Sequence, residues 1–269
     1  MYFSTDIYKV GKFCRCVLVI GATSGIGRAL ALSIRDLPHK PTLIVAGRRK
    51  ERLEELVKLC DHDGDRRLET VQFDQNAARD TLIASVQDIL EKYPNIDAVV
   101  LAAGIQCYYN FFKPDEIDLD KLTEEFNTNY VSILTMLFKC FIPHFLRLSE
   151  QGRHSLIIPI GSGLGVTPAS SLPTYSATKA ALHSLSLSLQ KSLQGTSVHV
   201  MEILPPLVES ELHDYDPNMR EHLSKFWMPL DEFTKIEMDG LQKGEPQIAA
   251  GWAAEQLELF EKGKIDHVR

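Results

Sequence analysis

The chain has 269 residues, 44% of them hydrophobic and 24% charged, enough to build a sizeable core in one large α/β domain or two small ones. Its formal net charge of -7, with Lys and Arg scattered rather than blocked, gives no electrostatic reason to expect nucleic acid or an anionic membrane as partner. Five cysteines, widely spaced and without paired C-x-x-C motifs or a His cluster, predict reduced thiols and no metal site.

The N-terminal MYFSTDIYKVGKF lacks the apolar core of a signal peptide, and the apolar run from Val131 to Phe145 is broken by Lys139 and Pro143. Read alone, that run is too short to span a bilayer. The expectation is a cytoplasmic protein whose partners are small molecules.

Taken in chain order, short β-branched or Leu-rich runs alternate with longer amphipathic ones. Strands buried on both faces are predicted at Cys16 to Ile20, Thr42 to Ala46, Leu68 to Phe73, Asp97 to Ala102, Ser155 to Ile160 and Val198 to Leu204. Helices are predicted at Gly25 to Leu37, Lys50 to Cys60, Ala77 to Lys92, Leu119 to Leu148 and Thr174 to Leu193. Repeated β-α units of this kind make a single α/β domain with a doubly wound parallel sheet, helices on both faces. Asp61 to Arg67 reads as a polar turn, and no linker or repeat divides the chain.

The first strand runs directly into GATSGIGRALAL, where Gly21, Gly25 and Gly27 are spaced G-x-x-x-G-x-G. Glycines there let the backbone approach a pyrophosphate while the free N–H groups of the following helix attract the anion. The second strand ends in AGRRKERLEEL, without the acidic residue that would meet a free ribose 2'-hydroxyl. Arg48, Arg49 and Lys50 instead open a helix, at the end whose dipole disfavours cations. A solvated basic helix start tied to Glu54 and Glu55 is one explanation; a pocket for a 2'-phosphate explains the placement better.

SSLPTYSATKAALHSL puts Tyr175 and Lys179 on one helix face. The same spacing recurs at Tyr8 with Lys12 and at Tyr109 with Lys113, so the pair means little without its surroundings. Those surroundings carry a resemblance, from about Cys16 to about Leu212, to the short-chain dehydrogenase/reductase family and its Rossmann-type fold. The glycine motif matches at Gly21, Gly25 and Gly27, with Thr23, Ser24 and Ile26 between them, although Ile20 stands where threonine is usual. The adenine-contacting aspartate falls on Asp74. Ala103 and Gly104 match the NAG motif, whose Asn is Ala102 here. The helix-four Asn falls on Asn129. The catalytic serine, thirteen positions before the tyrosine, falls on Ser162, and Tyr175 and Lys179 match the catalytic Tyr and Lys.

The resemblance implies an oxidoreductase that interconverts a carbonyl and a secondary alcohol. Tyr175 would exchange the proton, Ser162 would fix the substrate oxygen, and Asn129 would hold a water linked to Lys179. A nearby ammonium lowers the pKa of a phenol, and Lys179 would also reach the ribose of the cofactor. Arg48 and Arg49 favour NADP(H); an NAD-dependent alcohol dehydrogenase and a noncatalytic nucleotide sensor or scaffold are the alternatives. PPLVES, with Pro205, Val208 and Ser210, stands where the family contacts the nicotinamide, although Pro206 replaces the usual glycine. A substrate lid is expected over about 206–245, with Phe226, Trp227 and Met228 covering an apolar substrate or packing on the domain. The family's seventh strand must be short or absent near the terminal GKIDHVR, and homodimers or homotetramers are the family's habit.

Overall fold

The computed structural model describes residues 14–60, 68–214 and 217–268. The pair Tyr8 and Lys12 and the polar turn at Asp61 to Arg67 lie outside them. Six parallel strands form the central sheet: β1 (Cys16–Ile20), β2 (Thr42–Gly47), β3 (Leu68–Gln72), β4 (Ala98–Leu101), β5 (Ser155–Pro159) and β6 (Val198–Val200). Their spatial order is β3-β2-β1-β4-β5-β6, so successive crossovers run one way from β1 and the other way from β4. This Rossmann-like sheet opens a crevice at the carboxyl ends of β1 and β4, where the winding reverses.

Strand periodicity sorts the core into two layers. Val17 and Val19 face the layer that includes Leu30 and Ile34 of α1 (Gly25–Arg35), together with Phe233 and Leu241 of α7 (Leu230–Lys243). Leu18 and Ile20 face the other layer, with Phe141 and Phe145 of the long helix α4 (Leu119–Glu150). Between these elements run α2 (Lys50–Cys60), α3 (Arg79–Lys92) and α5 (Pro173–Ser192). The helix α5 starts with proline in its first turn, where the missing N–H and fixed φ cost nothing.

Three elements differ from their sequence expectations. Among the described residues Leu68–Gln72 pairs only with β2 and is half exposed, because β3 is an edge strand there rather than one buried on both faces. The run from Val198 to Leu204 changes partner at Met201: β6 pairs with β5, whereas β7 (Glu202–Leu204) pairs with β8 (Gln247–Ala249). Glu202 N–H donates to Pro246 O at 3.0 Å, which starts the new ladder. The short late strand is therefore β8, which forms a separate two-stranded sheet with β7, and α8 (Gly251–Phe260) follows it.

The third difference is α4. Its helical stretch is continuous over 32 residues, with π-helical turns at Asn127–Val131 and Leu137–Phe141, and has a window of mean hydropathy 1.5. By length and composition it is apolar enough to cross a membrane, which the shorter run taken alone was not. Half of that window is buried inside the domain, the position of a core helix.

Candidate active site

The turn after β1 is shaped by glycine. Gly21 has φ +91°, and a Cβ there would stand 2.4 Å from Ala103 N; Gly25 has φ +51°. L side chains rarely adopt either angle, and at Gly21 no space remains for one. A Cβ on Gly27 would meet Gly21 O at 2.4 Å and the Ala102 Cβ at 2.9 Å, so helix, turn and β4 are in close contact. Ala102 fits this approach, and its N–H donates to Ile20 O at 2.9 Å.

Ser24 occupies the N-cap of α1 without capping it. Its hydroxyl accepts from Arg49 at 2.6 Å, and Arg49 also donates to Thr23 Oγ1 at 3.0 Å. The first-turn N–H groups of α1 are left without a side-chain acceptor, which suits an anion. Glycine cradle, uncapped helix start and adjacent arginines fit the pyrophosphate of a dinucleotide. These groups open onto a cleft of about 780 Å³.

Every cofactor position assigned from the sequence lines this cleft: Gly21, Thr23, Ser24, Gly25, Ile26 and Gly27 at the first turn, and Arg48, Arg49 and Asp74 beside them. Ala103, Gly104, Pro205, Val208 and Ser210 complete the set. Asp74 also accepts from Asn76 N–H at 3.0 Å, bracing its own turn. Val208 is buried and bridges to Met228.

Ser162, Tyr175 and Lys179 form one wall of the same cleft, each at most 7% exposed. Ser162 follows β5 and accepts from Leu164 N–H at 3.1 Å, which fixes its rotamer. Lys179 donates to Ile160 O at 2.7 Å and lies 5.4 Å from the centre of the Tyr175 ring. Burial pushes the Tyr175 phenol well above its ordinary 10, against a hydrogen bond with Ser162 that favours the phenolate. Burial and the nearby Glu125 carboxylate raise the phenol, and Lys179 is not among the groups that lower it, so the lowering expected from the sequence is not seen. Burial likewise lowers Lys179 to about 8, opposed by the carboxylates Glu202 and Glu125.

Asn129 lies behind this wall rather than on it. Its side chain accepts from Ile105 N–H at 2.9 Å, donates to Ile105 O at 2.8 Å and meets Thr178 Oγ1 at 3.2 Å. It therefore clamps the loop after β4 to α5, from inside a π-helical turn of α4. The other Y-x-x-x-K pair within the described residues separates: Tyr109 is buried, while Lys113 is exposed and pairs with Glu116.

Some site groups escaped the sequence. Glu211 accepts from both Arg49 and Arg52, and these cations, against burial, hold its carboxyl below the usual range. Glu125 is fully buried, accepts from Cys107 N–H at 2.8 Å and is pushed up by burial to about 7. Its place three positions after Leu122 and four before Asn129, on the inner stripe of α4, was the available signal. Trp252, on α8, lines the cleft although it lies far downstream in the sequence. The segment expected as a lid contributes Leu212, His213 and Leu223, whereas Phe226 is exposed and Trp227 stacks beneath Arg220 at 5.2 Å.

Comparison with known proteins gives the same outline. The family model for short chain dehydrogenase matches residues 15–221. An uncharacterized oxidoreductase, DltE of Bacillus subtilis, is 33% identical over 233 residues, covering 86% of each chain. The NADP-dependent 3-hydroxy acid dehydrogenase YdfG of Shigella flexneri is 33% identical over 194 residues, 71% of this chain and 72% of its own. Among solved structures, a Burkholderia phymatum short chain dehydrogenase/reductase in complex with NAD superposes with TM-score 0.76 at 17% identity, covering 92% of this chain and 91% of that one. The last shares the fold. The family match and the one-third identity to relatives across most of their length assign this chain to the short chain dehydrogenase family of oxidoreductases.

Proposed function

We propose that the protein is an NADP(H)-dependent oxidoreductase that interconverts a carbonyl and a secondary alcohol on a small, apolar substrate. The observation that carries the reading is the meeting of Ser162, Tyr175 and Lys179 on one wall of the cleft that the glycine turn also lines. A bound nicotinamide cofactor supplies or takes the hydride at carbon. A sensor would need the cradle but not this wall.

Tyr175 stays protonated at neutral pH because its phenol is raised by burial, so in reduction it is the acid that gives its proton to the substrate oxygen. Ser162 Oγ accepts from Leu164 and its hydroxyl is hydrogen-bonded with Tyr175, so serine and phenol are held side by side to receive that oxygen. Lys179, anchored on Ile160 O, places a positive charge where the phenolate develops. Leu164, Leu172, Leu212, Leu223 and Trp252 give the open end an apolar lining that excludes water from the transfer.

The cofactor preference rests on Arg48 and Arg49. Arg49 is engaged by Thr23, Ser24 and Glu211, whereas Arg48 lines the cleft with no ion-pair partner among the described residues. Arg48 is thus the cation free to meet a 2'-phosphate, and the NADP-dependent relative supports the same choice. A charge-assisted hydrogen bond contributes about 1.5 to 3 kcal/mol, or a preference of about 10- to 150-fold for NADPH over NADH.

The test is a panel of carbonyls and alcohols with both cofactors, followed at the nicotinamide absorbance band, with each cofactor also titrated against wild type and Arg48→Ala. The reading predicts carbonyl reduction with NADPH and loss of most of the preference in the variant. Equal affinity for both cofactors in wild type, or full preference retained without Arg48, would contradict it.

A further inference from the structure

Behind the catalytic wall lies a chain of buried charges that the reaction as described does not use. Lys179 and His183 are one turn apart on α5. His183 Nδ1 stands 2.7 Å from Glu202 Oε2, and its Nε2 is at ion-pair distance, 3.3 Å, from Glu261 Oε2. Glu261 in turn pairs with Lys264 at 2.7 Å, at the surface. Glu202 and His183 are almost wholly buried. Burial opposes a charge on His183, but the Glu202 hydrogen bond and the two facing carboxylates raise it, which favours imidazolium even though Nε2 has no hydrogen-bond partner among the described residues.

The charges then alternate from the cleft outward: Lys179 positive, Glu202 negative, His183 positive, Glu261 negative, Lys264 positive. Glu261 offsets His183, which leaves the negative charge of Glu202 for Lys179. The second oxygen of Glu202, Oε1, has no hydrogen-bond partner among the described residues, and a Cβ on Gly161 would stand 2.6 Å from it. That oxygen is therefore held against the Ile160–Gly161 peptide, the same peptide whose Ile160 carbonyl receives the Lys179 ammonium at 2.7 Å. Glycine at 161 is what makes room for the carboxylate.

We propose that Glu202, anchored by His183, is the buried counter-charge of Lys179: a positioning residue that holds the ammonium in its working state from the Ile160–Gly161 side. The proposal deepens the functional reading above and rests on its use of Lys179. Burial works against the ammonium, and of the groups that oppose burial Glu202 acts most strongly, with Glu125 second. Burial raises Glu202 as well, and the His183 hydrogen bond and charge restrain it.

The surroundings of Lys179 contain few other titratable groups. Tyr175 is on its own helix. The turn of α4 packed against α5 brings Glu125 and Tyr130, the loop after β4 brings Cys107 and Tyr109 beside Glu125, and β6 brings His199, paired with His154. The turn Gly163–Gly165 has none. Among these, Glu202 and Glu125 are the buried carboxylates whose charge acts on Lys179.

The experiment titrates Lys179 by NMR in protein labelled at lysine Cε, without cofactor or substrate, in wild type, Glu202→Gln and Glu202→Asp, with Lys179→Met to assign the signal. Gln keeps the shape and the bond to His183 but removes the charge; Asp keeps the charge. The proposal expects the Gln variant to titrate about one pH unit lower than wild type and the Asp variant to stay closer to it. In turnover, the fall of the reduction rate toward alkaline pH should move down by the same amount in Glu202→Gln. A Gln variant that melts earlier but leaves the titration unmoved, or an Asp variant shifted as far as Gln, makes Glu202 a structural staple only and overturns the proposal. If neither variant folds, wild type decides: Lys179 charged at pH 7 supports the counter-charge, and Lys179 neutral at pH 7 overturns it. Because this readout uses no cofactor, its failure is separate from a failure of the oxidoreductase reading.

Discussion

Lys179 is only 5% exposed, and the charge of a buried ammonium has a cost that can be measured. Lowering an ammonium from 10.5 to about 8 corresponds to about 3 kcal/mol against the charged form. Below about pH 8 the lysine is charged in both folded and unfolded chains, so the penalty is constant. Between about 8 and 10.5 the folded chain gives up its proton first, and stability rises with pH across that window. At neutral pH, Lys179→Met is therefore expected to raise the melting temperature by several degrees while abolishing turnover. Thermal melts at pH 7 and pH 10 check it: the advantage of the Met variant should shrink at the higher pH. A variant that melts no later than wild type at pH 7 would mean that the attraction of Glu202 and Glu125 outweighs burial.

At the scale of elements, the position of a wall in the chain decided whether it was legible. Tyr175, Lys179 and Ser162 were found because their chemistry is local: two share a helix face and the third closes a strand. Trp252 was not, because it enters from α8, which reaches the site only after β8 pairs with β7. A Cβ on Gly163 would come within 3.0 Å of the Trp252 ring, so the indole packs directly on the turn that follows Ser162. Trp252→Ala is expected to change the kcat/KM ratio between a bulky and a small carbonyl by about tenfold, with cofactor affinity shifted by less than about twofold. Steady-state rates on matched substrates measure the first and fluorescence titration the second. An unaltered ratio would place the substrate away from α8, toward the loop after β4.

Across the whole molecule, alternating buried strands and amphipathic helices made the order of the sheet legible, since residues such as Val17, Leu18 and Val19 feed two opposite core layers in turn. The exposure of β3 was not, because an edge position depends on what lies beyond the strand and not on its own residues. Nor was the switch at Met201, where one extended run serves two partners, the second of them more than forty positions away. Buried charge was the least legible feature. Glu125, His183 and Glu202 look like ordinary polar positions until the fold removes them from water beside Lys179.

The sheet brings the glycine turn and Tyr175 to the same crevice, and the proposed reaction depends most on Tyr175. The most direct measurement is the rate of carbonyl reduction by Tyr175→Phe, together with titration of the cofactor against the same variant. Removing one oxygen preserves the ring and its packing but leaves no acid for the substrate oxygen. The account predicts that turnover falls by about a thousandfold or more while cofactor affinity stays within about threefold of wild type. Turnover at the wild-type rate in the variant would contradict it and move the proton donor elsewhere in the cleft.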